Sequence, residues 1–237
     1  EKISKINRGS GDIHSAAVLY AIVKNKNIEE SLKFAKKTTL NSIKNSKKVG
    51  KGIVITNVGR HDEIKIKLSN AINEFIKIKN IYKNIPECQT NFVYSKEKPK
   101  SIKEILGISG RIVKAGKEVI IAGNLSYGGS KHVATALLTV NKKYSKIKSA
   151  INLKYKKETI SKIRKVKLTT YDYDRTQEPQ NVKNKGSTIE WGIKNAIKNS
   201  RKPPDIIYHK GDFGKEPMII VFAETPDILM KKIIKII

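Results

Sequence analysis

Apolar residues recur at helical spacing over the first part of the chain and then give way to short apolar runs. The elements predicted from this pattern are helices at 12–25 and 28–45, a turn at 48–52, a strand at 53–55 and a third helix at 64–76. The stretch at 57–62 is polar and flexible in composition, so we place a domain boundary there. The pattern thus predicts two domains, residues 1–60 and residues 61–237.

Short strands and helices alternate beyond the third helix. The predicted strands lie at 91–94, 111–113, 119–122, 150–155, 167–171, 206–208 and 218–222. The predicted helices lie at 132–141, 156–163, 188–199 and 226–236. Strands that alternate with helices are typical of layered α/β proteins, whose loops carry the functional site. We therefore expect an α/β/α domain with a mixed central sheet.

Five segments of this domain combine groups that bind oxyanions: glycine backbone, a hydroxyl, and an Arg, Lys or His. They lie at 110–111, 127–132, 174–179, 186–192 and 211–217. One such segment would mean little, but five in one domain predict a substrate that carries several phosphates. We expect the loops to converge into a single cationic pocket.

The charge balance is strongly basic, with 49 Lys and Arg against 21 Asp and Glu and a formal net charge of +28. Such a charge suggests a nucleic-acid partner. However, the cations are nearly all Lys, spread along the chain, and accompanied by the Ile and Asn typical of an AT-rich genome. No zinc-finger or RNA-recognition motif is present. We therefore favour a phosphorylated small molecule and expect no nucleic-acid partner, which remains the alternative.

The chain begins at Glu1 rather than Met, so we expect a fragment or a processed product. It has no apolar run of the roughly 20 residues that span a bilayer, and its first residues do not resemble a signal peptide. We expect a cytoplasmic protein without a membrane partner, and a homo-oligomer stays open. The single cysteine, Cys88, excludes an internal disulfide, and a structural thiol is favoured over a nucleophile.

From residue 62 onwards the ordered motifs resemble those of the ThiN family, the archaeal-type thiamine-phosphate synthase domain. The matching motifs are Asn-Phe-Val-Tyr at 91–94, Gly-Arg-Ile at 110–112, Gly-Gly-Ser-Lys-His-Val-Ala at 128–134, Asp-Arg at 174–175 with Glu-Pro at 178–179, Gly-Ser-Thr at 186–188 and Gly-Lys-Glu-Pro-Met at 214–218. The resemblance implies an enzyme that joins hydroxymethylpyrimidine diphosphate to thiazole phosphate and releases pyrophosphate.

The resemblance also implies a catalytic pair, Arg111 and His132. The residues expected to bind substrate are Asn91, Gly129, Ser130, Lys131, Asp174, Arg175, Ser187, Gly214 and Lys215. Structural roles stay open for several of them: a surface ion pair for Arg111, packing for His132, and helix capping for both serines.

A diphosphate substrate implies Mg²⁺, which proteins hold through one or two carboxylates together with substrate oxygens. The candidate ligands, which the sequence does not rank, are Asp174, Glu190, Asp212 and Glu216. Asp174 has the further alternative of orienting Arg175. The remaining histidines, His14, His61 and His209, are isolated and predicted to be structural, and Trp191 is assigned to core packing rather than to ring stacking.

The first unit resembles the C-terminal end of a ribokinase-like hydroxymethylpyrimidine phosphate kinase of the ThiD family. The Gly-Ser-Gly-Asp sequence at 9–12 matches its anion-hole glycines and catalytic base. The resemblance implies a short helical remnant of that domain, in which Asp12 caps a helix instead of acting as a base, so no kinase activity is expected from this chain alone. The rival interpretation is a regulator that senses thiamine phosphates, which would carry a helix-turn-helix in this position.

Overall fold

The chain divides into two units, Glu1–His61 and Asp62–Ile237. The computed structural model describes residues 8–50, 52–58 and 62–237. Lys51 in the predicted turn, and residues 59–61 of the predicted boundary with His61 among them, lie outside the described residues.

The first unit contains a pair of helices followed by a β-hairpin. Its elements are α1 (Ser10–Val23), α2 (Ile28–Lys44), β1 (Lys47–Val49) and β2 (Ile53–Ile55), and the two strands are antiparallel. The side chain of Asn27 caps α2 by accepting a hydrogen bond from the Glu30 amide at 2.8 Å. His14 contacts Thr39 of the other helix at 3.3 Å, a structural contact between α1 and α2.

The first helix begins two residues earlier than predicted, and this corrects the role of Asp12. The N-cap is Gly9, which has a φ of 90° and whose added Cβ would lie 2.8 Å from the Thr56 hydroxyl. Asp12 lies inside the first turn of α1. Its carboxylate therefore stands near the positive end of the helix dipole instead of forming the cap.

The second unit is larger and alternates strands with helices. Its helices are α3 (Glu63–Ile76), α4 (Lys131–Lys143), α5 (Lys157–Lys165), α6 (Gln180–Lys185), α7 (Thr188–Ile197) and α8 (Pro226–Ile236). Its strands are β3 (Phe92–Ser95), β4 (Ile105–Ile108), β5 (Arg111–Ala115), β6 (Glu118–Ala122), β7 (Leu125–Tyr127), β8 (Ser149–Lys154), β9 (Thr170–Asp172), β10 (Ile206–His209) and β11 (Met218–Ala223).

Seven of these strands form one sheet in the order β7-β4-β3-β8-β11-β10-β9. Only β9 and β10 are parallel, and all other neighbours are antiparallel. β5 and β6 form a separate hairpin. The prediction of an α/β fold with a mixed central sheet is confirmed.

Buried side chains of the sheet alternate between two helical layers, as the period of two in a strand requires. Phe92 and Tyr94 pack with α3, α5 and α8, whereas Val93 between them packs with α4 and α7. In β11, Ile219 and Phe222 divide between the two layers in the same way. Helices therefore cover both faces of the sheet, and the loops that carry the predicted site residues lie at the ends of its strands.

Two strands and one helix in this unit escape sequence prediction: β4, β7 and α6. The predicted strand at 167–171 also begins later, at Thr170, because Lys167 has a φ of 55° directly after α5. No helix among the described residues is long and apolar enough to cross a membrane.

Candidate active site

Loops that carry predicted site residues leave the seven-stranded sheet along one edge, by which we mean the side where these strands begin or end. β4 ends there before Gly110, β9 ends there before Asp174, and the 210–217 segment joins β10 to β11 there. Asn91 precedes β3 at the same edge. Because antiparallel neighbours run in opposite directions, these strand starts and strand ends coincide in space. The sheet thus brings together segments that are far apart in sequence.

Asn91 holds this edge together from inside the protein. Its side chain is 1% exposed, and its Nδ2 donates to the carbonyls of Ile108 and Gly110, each at 2.9 Å. Its Oδ1 accepts from the Ile108 amide at 3.2 Å. The contact of Asn91 with substrate stays a prediction, and in this structure its amide group fixes the backbone that leads into Arg111.

Arg111 begins β5 and is half-buried. Its Nη1 donates to the Gly110 carbonyl at 2.9 Å, which leaves the other guanidinium donors free of hydrogen bonds to the described residues. Its positive charge lowers the pKa of His132 and opposes the raised pKa of the Cys88 thiol. The guanidinium therefore lies within electrostatic range of both the start of α4 and the turn that contains Cys88.

Two glycines bring the start of α4 against the sheet. A Cβ on Gly129 would lie 2.6 Å from the Gly107 carbonyl oxygen, and a Cβ on Gly107 would lie 3.1 Å from the Gly129 carbonyl oxygen. Ser130 follows in a left-handed conformation, with a φ of 56°, and is 6% exposed. Its hydroxyl makes no capping hydrogen bond. A strained, buried serine at a helix start is consistent with the predicted oxyanion role.

The start of α4 offers unpaired backbone donors. The first intrahelical bond runs from Ala134 to the Ser130 carbonyl at 2.9 Å, so the amides of residues 131–133 have no intrahelical acceptor. Lys131 and His132 are exposed at this helix end. The helix dipole, the free amides and the Lys131 ammonium together favour a bound anion here.

The pKa of His132 is affected by three positively charged residues of the site. Desolvation lowers its pKa first, and the positive charges of Arg111, Lys131 and Arg175 lower it further. These residues come from β5, α4 and the loop after β9. The structure therefore brings the predicted catalytic pair together with two predicted substrate-binding cations.

Asp174 stabilises a turn, whereas Arg175 contributes positive charge to the site. The Asp174 carboxylate accepts hydrogen bonds from the Thr176 amide at 2.9 Å and the Thr176 hydroxyl at 2.7 Å. These bonds, with a smaller effect of Lys210, lower the pKa of Asp174. Asp174 thus shapes the turn, and Arg175 supplies the charge that reaches His132 and His209.

Ser187, Gly214 and Lys215 lie outside the group that acts on His132. Ser187 is the N-cap position of α7, and its side chain makes no capping bond. The start of α7 is tied to the Asp174 loop through Thr188, whose hydroxyl donates to the buried carboxylate of Glu178. Gly214 and Lys215 are exposed in the 210–217 segment.

Two buried residues of the site were not expected from the sequence: His209 and Tyr173. His209 is 3% exposed, and its Nδ1 accepts a hydrogen bond from the Gly211 amide at 3.1 Å. Burial and the charge of Arg175 lower the pKa of His209 to about 4. Its ring lies 5.2 Å from that of Tyr173, whose buried hydroxyl has no partner among the described residues. These contacts agree with the predicted structural role of His209 and give it partners that the sequence alone does not reveal.

Gly192 makes room for this aromatic pair. A Cβ at this position would lie 2.3 Å from the ring of Tyr173. Trp191 packs edge-on against the same ring, with 6.1 Å between the centroids. Gly192 is therefore required for packing. Trp191 belongs to the helical layer, as the sequence indicates.

Glu216 fastens the 210–217 segment to the turn that precedes β3. Its two carboxylate oxygens accept from the amides of Glu87 at 2.8 Å and Cys88 at 3.1 Å. Desolvation, followed by the Glu216 charge, raises the pKa of the Cys88 thiol to about 11. The thiol is therefore protonated at neutral pH, which argues against a nucleophilic role.

The four candidate Mg²⁺ ligands do not form a prepared metal site. Asp174 and Glu216 bind backbone amides, Glu190 pairs with Lys194 at 2.7 Å, and Asp212 accepts from the Phe213 amide at 2.8 Å. Within the described ranges, no three His, Cys, Asp or Glu residues are grouped closely enough to hold a metal ion. These carboxylates do not fit a metal cage built by the protein.

The family described as thiamine-phosphate synthase ThiN matches residues 67–235. A bifunctional thiamine biosynthesis protein ThiDN of Methanocaldococcus jannaschii is 34% identical over 235 residues, which are 98% of this chain and 54% of that protein. The chain thus spans about half the length of this relative.

Two further similarities cover a smaller share of the chain. A thiamine-phosphate synthase ThiN of Methanothermobacter thermautotrophicus is 33% identical over 154 residues, 65% of this chain and 81% of that protein. A crystal structure of the C-terminal domain of a phosphomethylpyrimidine kinase is 43% identical and superposes with a TM-score of 0.70, covering 74% of this chain and 98% of that domain.

Proposed function

Because the chain belongs to the thiamine-phosphate synthase ThiN family, we propose that it is a transferase that makes thiamine phosphate. Its substrates are hydroxymethylpyrimidine diphosphate and thiazole phosphate, and its second product is pyrophosphate. The second unit carries this activity, since the family match lies within it.

One observation supports the assignment most directly: Arg111, Lys131 and Arg175 all act on the pKa of His132. The leaving pyrophosphate concentrates negative charge, so its departure is assisted by fixed cations and amides that face its oxygens. The free amides at the start of α4 add donors at the same place. A sensor of phosphates would need the cations but not a histidine with a lowered pKa among them.

The chemistry follows from these groups. The thiazole nitrogen attacks the methylene carbon of the pyrimidine, and the bond from that carbon to the diphosphate oxygen breaks. Arg111 can hold two oxygens of the diphosphate in a fork that Lys cannot reproduce. His132 is largely neutral at neutral pH because its pKa is lowered, so its N–H donates a hydrogen bond to the departing group.

In this proposal Mg²⁺ would bind together with the diphosphate substrate. A diphosphate supplies oxygens for Mg²⁺, and the ion keeps several waters when it has few protein ligands. Bound in this way, Mg²⁺ would neutralise part of the diphosphate charge. Two of the candidate carboxylates, Glu216 and Asp174, would contribute only through water because both are engaged in the protein.

The first test is synthesis from both substrates with Mg²⁺, followed as thiamine phosphate and pyrophosphate. We expect Arg111→Ala and His132→Ala each to lower kcat by about 100-fold or more, since each removes a group aimed at the leaving charge. Arg111→Lys should restore little, because the bidentate contact is lost.

The matched control is Lys114→Ala, an exposed cation on the same strand as Arg111. It should leave kcat within about twofold, since changes on the surface away from special contacts have small effects. Binding of thiamine phosphate without any turnover by the unchanged chain would instead favour the sensor, and normal rates in both alanine variants would remove the assigned roles.

For the first unit we propose membership of a larger ribokinase-like kinase domain. The similarity to the bifunctional protein covers nearly the whole chain and therefore includes this unit. Its helix α1 leaves Leu19, Tyr20 and Val23 at least half exposed, at 64%, 57% and 77%. Apolar side chains on such a helix are normally covered by protein. Within this chain alone we assign the unit no kinase activity.

A further inference from the structure

Phe213 stands at the tip of the segment between β10 and β11 with its side chain 100% exposed. The neck of this turn is closed by two backbone hydrogen bonds between Asp212 and Lys215, at 3.1 and 2.8 Å. The Asp212 carboxylate also accepts from the Phe213 amide at 2.8 Å. The turn is therefore well defined although its aromatic ring is free of protein contacts.

Two glycines make this turn possible. Gly211 has a φ of 85°, and a Cβ there would lie 2.4 Å from the Lys215 carbonyl oxygen. Gly214 has a φ of 65°, a conformation that favours glycine. The local sequence thus specifies a tight turn that holds an aromatic side chain away from the protein surface.

Both ends of the turn are anchored in the cationic site. The Gly211 amide donates to His209, whose pKa is lowered by Arg175. At the other end, Glu216 binds the Cys88 amide next to the charge of Arg111. Phe213 is therefore placed at the rim of the site rather than on a distant surface.

The turn carries a cation, Lys215, two residues after its aromatic residue. Lys215 is exposed, and its ammonium has no hydrogen bond or ion pair with the residues that the structure describes. An aromatic face and one lysine match a small ligand with a flat ring and a single phosphate. The diphosphate needs the denser group of Arg111, Lys131 and Arg175.

We propose that Phe213 covers the ring of the thiazole phosphate in the ternary complex and that Lys215 binds the phosphate of that substrate. The proposal rests on the proposed function and adds to it a binding site for the second substrate. Phe213 then has a specificity role: it aligns the thiazole nitrogen with the methylene carbon and keeps water away from it.

Loss of this cover has a defined chemical consequence. Water would compete with the thiazole nitrogen for the methylene carbon. Its oxygen would form the new bond to carbon, the bond from carbon to the diphosphate oxygen would break, pyrophosphate would leave, and a proton from the water would pass to solvent. The products are hydroxymethylpyrimidine and pyrophosphate instead of thiamine phosphate and pyrophosphate.

The experiment compares Phe213→Ala, Phe213→Tyr and the unchanged chain. For Phe213→Ala we expect KM for thiazole phosphate to rise about tenfold, as for a lost ring-stacking contact. KM for the pyrimidine diphosphate should stay within about twofold, and the share of hydroxymethylpyrimidine among the products should rise at least about fivefold. Phe213→Tyr should restore both values. Lys215→Met should raise KM for thiazole phosphate without changing the product ratio.

The matched control is Ile234→Ala, which truncates another exposed apolar side chain, 61% exposed on α8. It should change neither KM nor the product ratio. Calorimetric titration with thiazole phosphate in the presence of inorganic pyrophosphate gives an arm that needs no turnover. Equal affinity of Phe213→Ala and the unchanged chain would overturn the proposal even if no thiamine phosphate were formed. A change in oligomeric state with unaltered KM would assign Phe213 to an interface and overturn it as well.

Discussion

At the scale of single residues, His209 connects the electrostatics of the site to its geometry. The ring is buried beside Tyr173 and near Arg175, so a positive charge on it would be poorly solvated and repelled. In its neutral form Nδ1 accepts the Gly211 amide and so fixes one end of the turn that carries Phe213. The neutral form of one buried side chain thus anchors the turn that carries an exposed one.

The lowered pKa of His209 predicts a stability that falls with acidity. The group binds its proton with a pKa of about 4 when folded and of 6.5 in its unperturbed state. The unfolded chain therefore takes up more protons between these values, and the stabilisation present above pH 6.5 is lost as the pH falls towards 4. From pH 7.5 to pH 5 we expect a loss of about 2 kcal/mol, measured by denaturant unfolding with Trp191 fluorescence.

The variant His209→Asn provides the control, since its amide oxygen can accept the Gly211 amide without titrating. It should lose most of this pH dependence, while His132→Asn should keep it. If His209→Asn and the unchanged chain lose stability equally between the two pH values, the lowered pKa of His209 is refuted.

The sequence pointed to Arg111, His132 and Arg175 and missed the buried residues near them. Arg111 and His132 follow glycines, and Arg175 lies in the polar segment at 174–179, which are local patterns that need no tertiary information. His209 ends a buried strand, and its partners Tyr173 and Arg175 come from another loop. A side chain whose role depends on residues that are distant in sequence cannot be recognised from its local sequence alone.

At the scale of elements, the C-terminal end of α7 depends on a lysine from α4. Lys143 Nζ lies 2.7 Å from the Ile197 carbonyl and 2.9 Å from the Ser200 carbonyl, and it is also within hydrogen-bonding distance of Lys198 O. These carbonyls lack intrahelical donors. A cation at the C-terminal end of a helix also interacts favourably with the helix dipole. One side chain therefore joins the two helices that cover the same face of the sheet.

We expect Lys143→Met to lower the free energy of unfolding by about 1 kcal/mol, because the carbonyls at the end of α7 lose their charged donor. Denaturant unfolding followed by Trp191, which lies on α7, measures the effect. Lys142→Met is the matched control: it removes a neighbouring exposed lysine and should change the stability by less than about 0.5 kcal/mol. Equal effects of the two changes would contradict the capping role.

Prediction of the elements succeeded where apolar periodicity was long and failed where glycine interrupted it. The helices of the second unit from α3 to α8 were foreseen except α6, which has six residues and no buried side chain. β4 was missed because Gly107 breaks its apolar run, although that glycine is required by the approach of Gly129. The apparent strand breaker is therefore explained by a contact with another part of the chain.

At the scale of the whole molecule, the net charge of +28 creates a field that attracts anions. Both proposed substrates carry phosphate, and only a few of the cations belong to the site itself. Salt screens exposed charges over about 10 Å at 0.1 M ionic strength. We interpret the distributed lysines as a source of long-range attraction for these substrates, and no DNA or RNA surface is proposed.

This interpretation predicts that kcat/KM for both substrates falls about tenfold between 20 and 200 mM KCl, while kcat changes by less than about twofold. Steady-state rates over this range measure the effect. A short DNA duplex added at 150 mM salt should not inhibit. Rates that do not depend on salt, or strong inhibition by the duplex, would contradict it and return attention to nucleic acid.

The order of the strands has a consequence for how the domain is made. β8 lies in the middle of the sheet between β3, which is synthesised well before it, and β11, which is synthesised only after α5, β9, α6, α7 and β10. Pairing between segments so distant in sequence slows folding, because a long loop must close before the contacts form. A nascent chain that lacks residues 218–223 exposes one side of its central strand, so synthesis of β11 sets the earliest moment at which this sheet can be completed.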